Sequence, residues 1–421
     1  MENWKPRFFL IWTGQAFSLF GSALVQFALI WWLTTTTGSA TVLATAALAG
    51  MLPQVVLGLI AGTVVDRSNR RTIMIAADAF GAAATALLAW LFFTGMIQPW
   101  HVYIAMALRS AAAAFHFPAM QASTSLMVPH AQLSRVAGMN QALQGASSIV
   151  APALGALVIS FLPMHAVMMI DVVTAALAIL PLLFVAVPNP LKAEANGEAA
   201  PSSMFGDMRT GLRFVLNWRA LSLTMLLSLA INFVLTPGGA LIPILVTRHF
   251  GGAARELAVF EAAWGAGMIA GGVLLSVWGG FKSKIVTALI GLTGIGLGFV
   301  LTAVAPAWAA PLGAAGLFVS GVSNPITNGP FMAIVQSAVP PEMQGRVNGL
   351  LVSMSVAVAP ISLLVAGPVA DALGVRFWFV LGGALCMALA GLALLSPVIR
   401  NIEHEARDRS SVIKLATDLV R

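Results

Sequence analysis

Residues 41–95 read TVLATAALAGMLPQVVLGLIAGTVVDRSNRRTIMIAADAFGAAATALLAWLFFTG. Two apolar runs, 41–65 and 72–95, flank a short loop, Asp66–Arg71, with one acid and three arginines. Each run can cross a bilayer as a helix, which takes about 20 mostly apolar residues. The loop is too charged to do so. Neither run alternates as a barrel strand would. The stretch therefore reads as two membrane helices joined by a basic turn.

The same ruler finds runs near 8–35, 41–65, 72–95, 100–127, 136–161 and 166–188, then near 220–247, 256–279, 285–305, 309–338, 347–371 and 376–398. These are twelve spans, six on each side of a polar segment. Composition agrees. Of 421 residues, 59% are hydrophobic and 9% charged, and the mean hydropathy is +0.92. Soluble chains carry about 25% charged residues, and no core of this size hides so much apolar surface. A soluble enzyme, a disordered chain and a fibrous protein are excluded. The basic excess sits in short loops, which speaks for topology rather than for nucleic acid. The lone Cys386 excludes an internal disulfide and a Cys-cluster metal site. No phosphate loop and no HExxH occurs, so neither cofactor nor metal is expected. Lys5 and Arg7 resemble a signal n-region, but the run after them is too long and ends in Trp31 and Trp32, so it reads as a retained helix.

Of the 22 Lys and Arg residues, eighteen lie on the side that holds the N-terminus. Arg248, Arg255 and Arg376 lie on the other side, and Arg109 is inside a span. Basic loops stay in the cytoplasm, so both termini are expected there. The location that follows is a multi-pass plasma membrane, of the bacterial inner-membrane kind.

The halves repeat. Val128-Pro129, Arg135-Val136 and Gly138 match Val339-Pro340, Arg346-Val347 and Gly349 at an offset of 211 throughout, and Asp66–Arg71 matches Gly279–Lys284 at 213. The second loop has no acid of its own, so an ionic latch of this kind is expected on one side only. Such duplication marks rocking transporters. The expected organisation is a six-helix bundle over 1–188, a linker over 189–219 with an amphipathic surface helix, a second bundle over 220–398 and a tail over 399–421. A short extension of the seventh span is the other reading of the linker helix.

Gly62-Thr-Val-Val-Asp66-Arg67-Ser-Asn69-Arg70-Arg71 resembles the G-x-x-x-D-R-x-G-R-R signature of the major facilitator superfamily, with Asn69 in place of a Gly. Asn tolerates a left-handed backbone, so the turn is expected to survive. The stretch Arg109 to Gln121, with Phe115, His116, Phe117 and Pro118, is similar to the drug-exporting branch that includes macrolide efflux proteins and the enterobactin exporter. Pro152 and Gly155 resemble part of that branch's antiporter motif in span five, where Ala151 and Ala156 replace usual glycines. The resemblance implies the major facilitator fold, an all-α membrane protein of two pseudo-symmetric six-helix bundles. It also implies a conformational gate at Gly62, Asp66, Arg67, Arg70, Arg71, Pro152 and Gly155.

Four charges fall within spans: Asp78, Arg109, Asp171 and Glu261. Each costs about 2.5–3.5 kcal/mol near the bilayer centre on insertion scales, so each is a functional candidate. Glu261 has no cation nearby in its span and is the first candidate for proton coupling; contact with headgroups or Arg255 is the other reading. Asp171 with Arg109 is a coupling pair or a structural ion pair. Asp78, near the cytoplasmic end of its span, is expected at the interface or the latch. The family's cavity lies between spans one, four, seven and ten. Polar residues at helical spacing there include Gln15 and Gln26, His116, Asn232, and Asn324 with Asn328. Phe27 lies beside them, where an aromatic surface suits a bulky apolar ligand. Interhelical packing is the alternative for each. His116 is either a titrating group or one held by a neighbouring backbone or hydroxyl.

The function expected is proton-coupled export of bulky amphipathic drugs or natural products by alternating access, by a monomer whose partners are substrate, protons and lipids. Import or facilitated passage of a small metabolite is the alternative on this fold.

Overall fold

A computed structural model describes residues 4–129, 132–185, 212–339, 341–403 and 405. Among the described residues the long elements are all helices. They are α1 Trp4–Thr37, α2 Ala40–Arg67, α3 Arg70–Thr94, α4 Pro99–Met127, α5 Leu133–Phe161 and α6 Met164–Phe184. After the linker come α7 Arg219–Ile244, α8 Ala254–Trp278, α9 Lys284–Val304, α10 Ala310–Ala338, α11 Pro341–Leu373 and α12 Val375–Leu395. Helix α7 runs on into a π-helical turn, Leu245–His249. The twelve runs read from the sequence are these twelve helices. The amphipathic helix expected before α7 falls mostly outside the described residues, which resume at a short helical turn over 212–216.

Ten of the twelve are long and apolar enough to cross a membrane; α4 and α10 are not among them. Both are 29 residues long, about 43 Å at 1.5 Å per residue, so length is not what sets them apart. Their polarity is: α4 carries Arg109, Ser110, His116 and Gln121, and α10 carries Ser320, Ser323, Asn324 and Asn328. Helix starts are capped locally. The Ser39, Asn69 and Ser283 side chains accept from the amides of Val42, Thr72 and Val286 at α2, α3 and α9. This corrects the expectation for Asn69. Its φ is −71°, so it serves as an N-cap rather than a left-handed turn residue. The left-handed position is Gly95, at φ 71°, where α3 ends.

The chain divides into two compact units: Met1–Asn196 with Pro243–Ala262, and Gly197–Ile242 with Ala263–Arg421. In the first, α1 packs on α5 and α6, α2 on α4, and α3 on both α4 and α6. In the second, α9 packs on α10 and α12, and α11 on α12. Bare glycine backbone brings further pairs together. A Cβ on Gly267 or Gly271 of α8 would meet α10 backbone within 2.4 Å, and one on Gly238 of α7 would meet Phe299 of α9 at 2.5 Å. Helices α4 and α10 start and end at an offset of 211, as do α6 and α12. The α3–α4 and α3–α6 contacts thus recur as α9–α10 and α9–α12. The duplication seen in the sequence is a duplication of packing.

Candidate functional site

The first unit holds a cavity of about 1160 Å³ lined by helices α1 to α6. That is room for a drug-sized molecule. Amides dominate its polar wall: Gln15 and Gln26 from α1, Gln54 from α2, Gln121 from α4, and Asn140, Gln141 and Gln144 from α5. The titratable groups on the wall are Asp78, Arg109, His116 and Asp171.

Three helices supply these groups through one spacing. Gln15 and Ser22 on α1, Asp78 and Thr85 on α3, and Arg109 and His116 on α4 are each seven residues apart. Seven residues are nearly two turns, so each pair shares a face and lies about 10 Å apart along its helix. Two stacked layers result. In the first layer Arg109 forms an ion pair with Asp171 of α6 and donates to the Thr85 hydroxyl. Ser22 Oγ donates to Asp171 Oδ1 and Thr85 Oγ1 to Asp171 Oδ2, both at 2.8 Å. Asp171 is 2% exposed, and its charge is met by one guanidinium and two hydroxyls. In the second layer Gln15 Nε2 donates to Asp78 Oδ2 at 3.0 Å. His116 Nε2 lies 3.4 Å from Asp78 Oδ1, out of line for a hydrogen bond, and has no hydrogen-bond partner among the described residues.

The position of Asp78 corrects the sequence reading. It faces the cavity beside His116 rather than the membrane interface or the loop. Depth along the helix suggested the wrong neighbour; the spacing to Thr85, matching the spacings on α1 and α4, was the signal that could have found the right one. Asn140, whose Oδ1 accepts from Trp12 Nε1 at 2.8 Å, Gln54, Gln141 and Gln144 also belong to the wall and were not singled out.

Gln15, Gln26 and His116 lie on this wall, whereas Phe27 does not. Phe27 is buried, and its ring covers Gly155, where a Cβ would lie 2.6 Å from Cδ1. Pro152 sits one turn before that contact within α5. In the second unit, Asn232 donates to Ser228 O at 2.9 Å and Asn328 donates to Asn324 O at 3.1 Å, each within its own helix. Glu261 on α8 is half-buried and makes no hydrogen bond or ion pair with the described residues.

At the loop between α2 and α3, Gly62 has open space around it and Arg67 is exposed. The Asp66 side chain lies outside the described residues. Arg70 Nη1 donates to Ala122 O at 2.8 Å, near the end of α4, and Arg71 donates to Leu182 O and Leu183 O at the end of α6. Cations there meet the negative ends of two helices. The matching loop between α8 and α9 acquires an acid after all. Glu403 Oε1 accepts from Ser283 Oγ at 2.9 Å and from the Ile285 amide at 2.8 Å. A carboxylate thus sits at the positive end of α9, contributed from beyond α12.

Comparison with known proteins places this geometry. The profile of the Major Facilitator Superfamily matches residues 11–362. Macrolide efflux protein A of Streptococcus pyogenes is 34% identical over 401 residues, 95% of this chain and 98% of that one. Multidrug efflux pump Tap of Mycobacterium tuberculosis is 29% identical over 425 residues, 96% of each chain. Among solved structures, the nucleoside transporter NupG aligns with a TM-score of 0.69 at 14% identity over 93% of this chain and 98% of its own. A POT family transporter aligns with a TM-score of 0.70 at 10% identity over 92% and 95%. At such identities these two show the fold alone. With a profile covering most of its length and a relative above 30% identity end to end, the chain belongs to the Major Facilitator Superfamily of membrane transporters.

Proposed function

We propose that the protein exports bulky amphipathic drugs or natural products, macrolides among them, in exchange for protons. The observation that carries this reading is the first-unit cavity: large, walled by amides and apolar side chains, and holding ionisable groups inside the membrane. Amides donate and accept without charge, which suits an oxygen-rich substrate of varied shape. Met120 and Phe117 on the same wall add adaptable apolar surface. The relatives named for macrolide and multidrug efflux support the substrate class. The two six-helix bundles, 1–188 and 220–398, rock about the substrate, with the signature loop from Gly62 to Arg71 and the Pro152–Gly155 turn as the gate. Both termini lie in the cytoplasm on the strength of the basic loops.

Glu261 is the proton carrier of the α8 region, a carboxyl in a span without a cation to hold its charge. The test is transport of a labelled macrolide into vesicles under an imposed pH gradient. Accumulation should follow the gradient and collapse with a protonophore, and Glu261→Gln should lower it. Accumulation indifferent to the gradient defeats the reading.

A further inference from the structure

We propose that Asp78 and His116 form the proton-binding pair of the first unit, while the Arg109–Asp171 pair two turns away stays ionised throughout the cycle. This rests on the proton-exchange reading above and assigns the groups that perform it here.

The two layers differ in what a proton would find. Asp171 accepts from Ser22, Thr85 and Arg109, so a proton arriving there competes with a guanidinium and two hydroxyls. Among the described residues Asp78 accepts from Gln15 alone, and its other oxygen faces an imidazole nitrogen that has no hydrogen-bond partner there. One added proton, with the ring turned into line, makes this contact a charge-assisted imidazolium–carboxylate hydrogen bond. Its loss restores a carboxylate beside a neutral ring. Both side chains border the cavity, the His116 and Asp78 side chains being 21% and 11% exposed against 3% for Asp171, while the Nε2 atom between them is itself buried.

Charge on the wall then follows one proton. Arg109 and Asp171 cancel. Helices α1, α2 and α5 contribute amides, hydroxyls and apolar groups to the wall but nothing titratable, and α6 contributes only Asp171. The wall therefore carries one negative charge when the pair is deprotonated and none when it is protonated. Substrate binding that favours one of these states is coupled to proton uptake or release by linkage.

The experiment uses the full chain in liposomes and a labelled macrolide. Gradient-driven accumulation and gradient-free exchange are both measured, the latter across about pH 5 to 8, where histidine chemistry switches. For the wild type, accumulation should follow the pH gradient and exchange should vary with pH. Asp78→Asn and His116→Gln should each lose accumulation, with exchange persisting but flat across pH, and Asp78→Glu should keep accumulation with a displaced pH profile. Retained accumulation with the wild-type pH profile in Asp78→Asn overturns the proposal. So does a uniform loss of exchange at every pH, which marks a structural role. Wild-type accumulation without gradient dependence defeats the proton-exchange reading itself, and is seen before any variant is made.

Discussion

Helix α3 of the first unit and helix α9 of the second hold matching places in the duplicated chain, yet they are built from opposite materials. At the loop's offset of 213, Asp78, Gly81 and Thr85 correspond to Gly291, Gly294 and Gly298; at 211, Arg109 and His116 correspond to Ser320 and Thr327. The contacts pair in the same way. Asp78 faces His116 and Thr85 meets Arg109, while a Cβ on Gly291 would lie 2.6 Å from Thr327 Oγ1 and one on Gly298 2.2 Å from Ser320 Oγ. Where the first unit sets ionisable side chains against each other, the second sets bare backbone against hydroxyls. Close approach follows for α9, whose spanning stretch is 61% buried, against 33% for α3. Helices α3 and α4 instead border the cavity, with their ionisable side chains on its wall. Duplication has kept which helices touch and changed what the touching does: one copy carries titratable chemistry, the other carries dense packing.

The comparison breaks most visibly at Asp171. Its removal leaves Arg109, whose side chain is only 13% exposed, without its counter-charge, an error that costs about 3–5 kcal/mol for a fully buried pair and less here. Asp171→Ala should therefore lower the thermal unfolding midpoint more than any other change discussed. Arg109→Leu combined with Asp171→Leu should recover much of the loss, because an apolar pair leaves no orphaned charge. The next largest effect distinguishes the two matching glycines. A Cβ on Gly294 would lie 2.3 Å from Ser323 Oγ, whereas Gly81 has nothing within 4 Å. Gly294→Ala should cost about 1–3 kcal/mol through overpacking, and Gly81→Ala under about 0.5 kcal/mol. Unfolding midpoints of the two purified variants, measured side by side, decide whether the second copy is the tightly packed one.

A third effect concerns the loops. In the first unit Arg70 and Arg71 bind carbonyls near the ends of α4 and α6; in the second, Glu403 binds donors at the start of α9. Glu403→Ala removes a charged partner from a helix N-terminus, worth about 0.5–2 kcal/mol. Ser283 still caps Val286, which keeps the loss near the lower end. Protease cleavage at the α8–α9 loop should rise in this variant before global stability falls.

How far the sequence reached follows from the range of each interaction. Spans were legible because crossing a bilayer is a statement about consecutive residues, and all twelve helices lie within a few residues of their apolar runs. The polar faces of α1 and α4 were legible for the same reason, through Gln15 with Gln26 and through His116. What spacing along one helix does not carry is the register between helices. That is why Asp78 was matched to the loop instead of to His116, and why Phe27 was grouped with the cavity although its ring packs on Gly155. The acid at the α8–α9 loop was illegible for a further reason: Glu403 comes from 120 residues beyond Ser283, with no local signal to link them.

The smallest effect tests the signature loop itself, where Asn69 stands in place of a glycine. A residue in a left-handed turn would gain from Asn69→Gly, because glycine adopts positive φ without strain. Asn69 instead has φ −71°, and its side chain accepts from the Thr72 amide at 3.3 Å. For such an N-cap, Gly costs only a few tenths of a kcal/mol and Ala about 1 kcal/mol. The order expected is therefore Asn69 above Gly above Ala, with all three close together in unfolding midpoint. A rise in stability for Asn69→Gly would restore the left-handed turn and remove the cap, making this loop the counterpart of Gly279 and Gly280, which have positive φ of 75° and 83° in the second unit.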